Sequence, residues 1–421
     1  MAYTSELAAE LAPDLVRRFE RYARIDTQSK RDQTGSPSTP GQLELGRLLA
    51  DELAEAGLGD AVLDENGYVT ATLAGNGNGA DGRVVGLIAH MDTSPDAPGA
   101  GVEPIVHPDY DGGVLELPRD GTRLDPGTMP ELERKRGHDI VTSSGDTLLG
   151  ADDKAGVAEI VSAIAYLAAH PELPRPTLKV AFTPDEEIGE GATRFDIERF
   201  DAACAYTLDG SEVGEIQDET FAADEVIATV RGVEVHPGFA TGKLVNALRL
   251  AAQIVAALPS EGLSPETTSG RQGFIHPYEL TAHAGVAEIR LIVRDFDDDR
   301  LREHVELFER TARAVVDREP RASLELEVRR QYPNMRSYID AVPEVLAAAE
   351  DAIRGEGLEP RRTLIRGGTD GSRLSEMGLP TPNLFTGGHE FHSVREWASV
   401  NDMATAAAVI VRLAEVWTRV G

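Results

Sequence analysis

A chain of 421 residues exceeds what one ordinary hydrophobic core supports and fits two domains, one inserted into the other. Its 41% hydrophobic and 27% charged residues are globular composition, which excludes disorder, collagen and a disulfide scaffold. A formal net charge of −31 excludes a nucleic-acid or anionic-membrane partner as an expectation, because either polyanion would be repelled over most of the surface.

Leu7, Leu11, Leu15 and Phe19 recur at helical spacing and predict an amphipathic helix over 5–24. Charges at Glu6, Glu10, Asp14, Arg17 and Arg18 interrupt any signal-peptide core there. A second helix is expected from the Thr39 cap and Pro40, with Leu45, Leu48, Leu49 and Leu53 as its apolar face and Gly57 as its stop. Short apolar runs at 84–89, 178–183 and 205–208 have the length of buried strands, and a helical pattern fills 155–169, so the first domain reads as an α/β sheet flanked by helices. The polar stretch 96–146, rich in Pro, Gly and Asp, reads as surface excursions with a short hairpin. Cys204, the single cysteine, sits in an apolar run as core, excludes an internal disulfide and suits a reducing compartment. No stretch approaches the roughly 18 apolar residues of a membrane span. The expected location is therefore the cytoplasm.

From 220 the pattern becomes strand 226–230, helix 244–258, strands 273–282 and 288–294, helix 299–318 and strand 323–328. This βαββαβ order is a complete ferredoxin-like unit, so 220–333 reads as an inserted domain between 1–219 and 334–421. The first domain resumes with a helix at 341–353, a glycine-rich loop at 366–371, a strand near 382–385 and a closing helix at 403–416.

Three of the predicted strands run into potential metal ligands: His90 and Asp92, then Asp185, Glu186 and Glu187, then Asp209. A fourth cluster, Asp152-Asp153-Lys154, leads into a helix. In open α/β sheets ligands bind beyond the carboxyl ends of the strands, so these groups are expected to converge. Taken singly each has an ordinary reading as a turn residue or helix cap, but packed carboxylates need a cation to offset their repulsion. Oxygen ligands mixed with imidazole suit zinc, manganese or cobalt, and three or more acidic ligands suit two ions sharing a bridging carboxylate and a water. Of Glu186 and Glu187, one can ligate while the other acts as base. Among ten histidines, His170 and His304 read as helix-surface residues, and His107, His138, His276 and His283 lack a companion cluster. His90, His236, His389 and His392 are left. The turns 366–371 and 387–388 lack the order of a phosphate loop and read as places where backbone approaches substrate.

The clusters His90-Met91-Asp92-Thr93-Ser94-Pro95-Asp96, Gly150-Ala151-Asp152-Asp153-Lys154-Ala155-Gly156 and Thr183-Pro184-Asp185-Glu186-Glu187-Ile188-Gly189 resemble those of the peptidase T family of tripeptide aminopeptidases. So do Val235-His236-Pro237-Gly238, Val245-Asn246-Ala247, Ile292 to Asp297, the 366–371 loop and 379–388, in order and over nearly the whole chain. The wider group is a di-metal family that includes carboxypeptidase G-like and aminoacylase-like enzymes. The resemblance implies two divalent ions, zinc foremost, with Asp152 bridging, His90 and Asp209 on one ion, and Glu187 with His392 on the other. It implies that Glu186 is the general base, that Asp92 orients His90, and that the Asp152–Asp153 peptide is cis. His392 is preferred to His389 because an acidic residue, Glu396, comes closely after it; His389 replaces an expected aromatic residue. It further implies that 220–333 is a lid or dimerisation domain, with a homodimer as its consequence, and that His236, Asn246, Arg294 and Arg366 bind the peptide carboxylate or the oxyanion. The expected reaction is hydrolysis of the N-terminal residue from tripeptides, in peptide catabolism, through a metal-activated bridging water. Dipeptidases, aminoacylases and carboxypeptidases of the same wider family, or a silent peptide-binding homologue, are the alternatives.

Overall fold

The computed structural model of the chain describes residues 3–31, 33, 35–79 and 82–420. Two compact units emerge: Met1–Asp218 with Met335–Thr363 and Thr369–Gly421, and Glu219–Asn334 with Leu364–Gly368.

The first unit is built on an eight-stranded sheet in the order 62–63, 69–73, 178–183, 85–90, 204–210, 383–385, 215–220, 361–365. Its centre is parallel: Val85–His90 lies between Leu178–Thr183 and Cys204–Gly210, and Asn383–Phe385 extends it. All six residues of Val85–His90 are buried, as a strand covered on both faces requires. On one face Ala151–Ala169 packs against this centre and against the helices Glu6–Ala23 and Val400–Trp417. The other face holds Ile88, Ala181 and Ala205 against Tyr68, Phe195, Phe200, Leu374 and Leu379. Gly156 lets the helix come this close, because a Cβ there would stand 1.9 Å from the Leu208 carbonyl oxygen.

The expected surface excursion over 96–146 is more ordered than its composition suggests. Ile105–His107 and Ile140–Thr142 join Gly388–His389 and Trp397–Ser399 in a four-stranded sheet, and Leu115–Glu116 with Arg123–Leu124 forms the hairpin. Tyr110, Leu124, Met129, Leu132 and Ile140 close around Trp397 as a small core of their own. The partner strands lie more than 240 residues away, so local composition carried no sign of them.

The second unit is an antiparallel sheet in the order 274–282, 286–295, 222–231, 323–332, backed by Ala247–Ala256 and Asp298–Val316. Strict alternation along Val286–Asp295 turns Ile289, Leu291 and Val293 toward Phe308, Ile254 and Ala312 of these helices. The first helix starts at Ala247 rather than 244, with Asn246 as its cap: the Asn246 Oδ1 accepts from Arg249 N at 3.1 Å.

One boundary differs from the sequence reading, which kept 364–368 with the first domain. Leu364 packs on the cluster of Phe221, Phe274 and Phe296, and the Arg366 guanidinium donates to the carbonyls of Gly270 (2.7 Å), Gln272 (2.9 Å) and Thr268 (3.3 Å) and to Thr268 Oγ1 (2.9 Å). The same group lies over the Phe221 ring, 5.1 Å from its centroid. Arg366, which the resemblance nominated for the peptide carboxylate or the oxyanion, staples a loop inside its own unit through these contacts. Arg366→Ala is expected to destabilise this unit by about 1.5–3 kcal/mol, the worth of hydrogen bonds from a charged donor, measured by denaturant unfolding. Unchanged stability with a raised KM would return it to the substrate. Among the described residues no helix is long and apolar enough to cross a membrane.

Candidate metal centre

The three parallel central strands deliver their acidic and imidazole groups to one edge of the sheet, as the strand-end rule requires. His90 ends the middle strand, Asp209 lies near the end of Cys204–Gly210, and Glu186 and Glu187 begin the turn after Leu178–Thr183. Asp152 opens the helix Ala151–Ala169 with non-helical backbone (φ −86°, ψ 102°), and the Asp152–Asp153 peptide is cis.

Two groups of donor atoms result: His90, Asp152 and Asp209, and Asp152, Glu187 and His392, each with its donor atoms within 4.8 Å of one another. His90 Nε2 is 2.9 Å from Asp152 Oδ1 and 3.7 Å from Asp209 Oδ1. His392 Nε2 is 3.2 Å from Asp152 Oδ2 and 3.0 Å from Glu187 Oε2. Asp152 thus offers one oxygen to each group, the geometry of a bridging ligand. Glu186 belongs to neither.

The electrostatics test whether divalent ions fit. Burial and the neighbouring Asp152 push the Glu187 carboxyl up to about 7, while burial lifts Asp209 and holds Glu186 well above its ordinary range. Against its own burial, Asp152 is held low by hydrogen bonds from His392 and His90. The hydrogen bonds that His392 makes to Asp152 and Glu187 push its imidazole up to about 11. Four carboxyls therefore crowd two imidazoles, and the buried Glu187 Oε1 has no hydrogen-bond partner among the described residues. A mixed N and O donor set with an orphaned inward oxygen fits a pair of borderline or hard divalent cations.

A consequence is measurable, because an imidazole must be neutral to ligate. With His392 raised above neutrality, zinc binding at pH 7 is expected to expel its proton, so the calorimetric heat should depend on the ionisation enthalpy of the buffer. Buffer-independent heat would contradict the protonated state. The sign also makes metal affinity rise with pH.

Around the donors sits a set of fixing contacts. Asp92 accepts from the amides of Glu186 (2.9 Å) and Glu187 (3.1 Å). His90 Nδ1 lies 3.1 Å from the Asp92 carbonyl oxygen and 3.4 Å from its carboxylate, so orientation of His90 rests on main chain as much as on the side chain. The Glu396 carboxylate accepts from the amides of Leu149 (2.7 Å), Gly150 (2.8 Å) and Asp152 (3.0 Å), and so anchors the loop that presents Asp152. Thr369 Oγ1 is 3.3 Å from Asp209 Oδ2, and Asp96 Oδ2 is 3.5 Å from His392 Nδ1. Asp370, pushed up to about 6 by burial, accepts from Thr183 Oγ1 at 2.7 Å.

Sequence reading had not singled out Asp96, Thr369 or Asp370, and it had noted Glu396 only as a neighbour. Asp96 carried a usable signal, since it closes the same strand-end cluster as His90. Thr369 and Asp370 were hidden in a glycine-rich turn read as a backbone approach. His389 stays out of both groups; it is buried with its ring stacked on Trp397 at 4.2 Å. In the second unit, His236 is exposed and its Nδ1 accepts from Gly238 N at 3.1 Å. Arg294 donates to the Arg366 carbonyl at 3.2 Å, and its Nε has no hydrogen-bond partner among the described residues.

Residues 147–416 match the sequence pattern of Peptidase family M20/M25/M40. A Peptidase T from Bacillus velezensis is 46% identical over 405 residues, covering 96% of this chain and 98% of the relative. A tripeptidase from Staphylococcus aureus superposes with a TM-score of 0.76 at 20% identity, covering 97% of this chain and 99% of its own. A dinuclear metal-binding peptidase of the M20 family from Bacillus subtilis gives 0.66 at 15% identity, covering 97% and 98%. The last two likenesses speak for the fold, and the first two findings for descent: the chain belongs to peptidase family M20/M25/M40.

Proposed function

We propose that this metallopeptidase is an aminopeptidase that releases the N-terminal residue of tripeptides. The observation that carries the reading is Asp152 placed between two N/O donor groups with Glu186 unligated beside them, in a chain 46% identical to a Peptidase T. In this reading His90, Asp152 and Asp209 hold one ion and Asp152, Glu187 and His392 the other, with zinc the ion proposed. The ions would supply Lewis acidity toward the scissile carbonyl and a lowered pKa for a shared water. Glu186, half-buried and held above its ordinary range, would take a proton from the attacking water and pass it to the leaving amine.

His236 is proposed for the oxyanion: because its Nδ1 accepts from Gly238 N, the neutral ring carries its proton on Nε2, where it can donate. Arg294, whose Nε has no hydrogen-bond partner among the described residues, is proposed for the peptide carboxylate. For Asn246 a substrate role would use the amide NH₂, since its Oδ1 caps a helix. The second unit, which we take as residues 220–333 with 364–368, is proposed as a lid or dimerisation domain, and the protein is placed in the cytoplasm. Hydrolysis of a tripeptide, its dipeptide and tetrapeptide counterparts and its N-blocked form, with zinc, cobalt or manganese, is the test. Cleavage confined to the free tripeptide is the expected result; preference for the dipeptide or blocked peptide would assign a sister activity.

A further inference from the structure

Gln42 occupies a place that helical periodicity gives to an apolar residue. It shares the buried stripe of Pro40–Glu55 with Leu45, Leu49 and Leu53, and it is 0% exposed. A glutamine at such a position costs free energy unless its amide is fully hydrogen-bonded. Besides the nearby hydroxyls of Thr39 (3.2 Å) and Ser38 (3.4 Å), its partner lies 143 residues away: Gln42 Nε2 donates to Asp185 Oδ1 at 2.7 Å, and Asp185 N donates back to Gln42 Oε1 at 3.1 Å. Ser38 adds its amide to Asp185 Oδ2 at 2.7 Å and its hydroxyl to Oδ1. Asp185 is held at φ 58°, a left-handed conformation uncommon outside glycine, at the point where the strand turns toward Glu186. As a result the three consecutive amides of Asp185, Glu186 and Glu187 are each fixed by a side chain, the first by Gln42 and the next two by Asp92.

We propose that Gln42 is a positioning residue: through a reciprocal clamp on Asp185 it sets the backbone from which Glu186 reaches the reacting water. The inference rests on the reading of Glu186 as general base. Asp92 fixes the turn from the metal side, and Gln42 with Ser38 fixes it from the helix side. Loss of the clamp frees Asp185 from its left-handed conformation and moves the base, while the peptide-binding groups keep their places.

The test uses the metal-loaded full chain with a tripeptide. Gln42→Leu is expected to lower kcat roughly 10–100-fold, the usual range for an outer partner of a metal site, with little change in KM. Gln42→Glu sets a carboxylate against Asp185 and should do the same. The double variant Gln42→Glu with Asp185→Asn rebuilds the pairing with donor and acceptor exchanged, and is expected to recover most of the lost kcat. A purely structural role would move the melting temperature and leave the kcat of the folded fraction intact; that result, or no recovery in a folded double variant, overturns the proposal. Full activity in Glu186→Ala would instead overturn the base assignment on which it rests.

Discussion

Glu186→Ala is expected to leave both metal sites filled and to lower tripeptide turnover by about 10²–10⁴-fold, the usual share of a positioned acid–base group. Glu186 stands outside both donor groups, so its removal takes no ligand from either ion. The charges of His90, Asp209, Asp370 and Glu187 act on its carboxyl, as they would on a group standing beside both donor sets. Burial lifts its pKa, and the base form is then lost as pH falls through that raised value; the acid limb of kcat should accordingly vanish in the variant. Metal content per chain by atomic absorption and kcat from peptide hydrolysis decide the matter. A variant that loses metal in parallel with activity would make Glu186 a ligand, and one that keeps its rate would remove it from the chemistry.

Asp152→Ala should be at least as damaging, for a different reason. Asp152 lends Oδ1 toward His90 and Oδ2 toward His392, so a single substitution depletes both donor groups. Asp209→Ala depletes only one. The expected result is a fall from two ions per chain to well under one in Asp152→Ala, against about one retained in Asp209→Ala, as two-metal sites sharing one carboxylate require. Loss of a single ion in Asp152→Ala would show that the two groups do not share it. Without Asp152, His392 loses the largest cause of its raised pKa, so the proton released on zinc binding at pH 7 should diminish as well.

Much of this centre was legible in the sequence because it obeys a topological rule. A buried parallel strand must end somewhere, and its end faces the crevice; His90, Glu186, Glu187 and Asp209 could be nominated from apolar runs and the polar residues at their carboxyl ends. The sheet places the run ending in His90 between the other two, which is what brings the nominated groups to one edge. The antiparallel second unit was similarly readable, since the alternation along 286–295 speaks for one buried face.

The features that escaped the sequence share one property: each depends on a partner far away in the chain. Periodicity reports which face of an element is buried and is silent on what that face meets. Gln42 carries no signal in the sequence, and its role shows only with Asp185 opposite it, while Glu396 looked like a neighbour of His392 until its carboxylate met three amides at 149–152. Arg366 was nominated by the family resemblance as a substrate binder, and its contacts to the carbonyls of Thr268, Gly270 and Gln272 had no sign in the sequence. The stretch 96–146 was read by its composition, and the strand at 397–399 made part of it a sheet. The sequence by itself determined the α/β class, the inserted unit and the strand-end candidates His90, Glu186, Glu187 and Asp209, because these derive from hydrophobic period and strand ends, whereas His392 and the bridging role of Asp152 came from the family resemblance. Only the tertiary structure decided which carboxylates fix the ligands, which loop Arg366 holds, and how the turn bearing Glu186 is held, because a hydrogen bond between distant residues leaves no periodic trace in either segment.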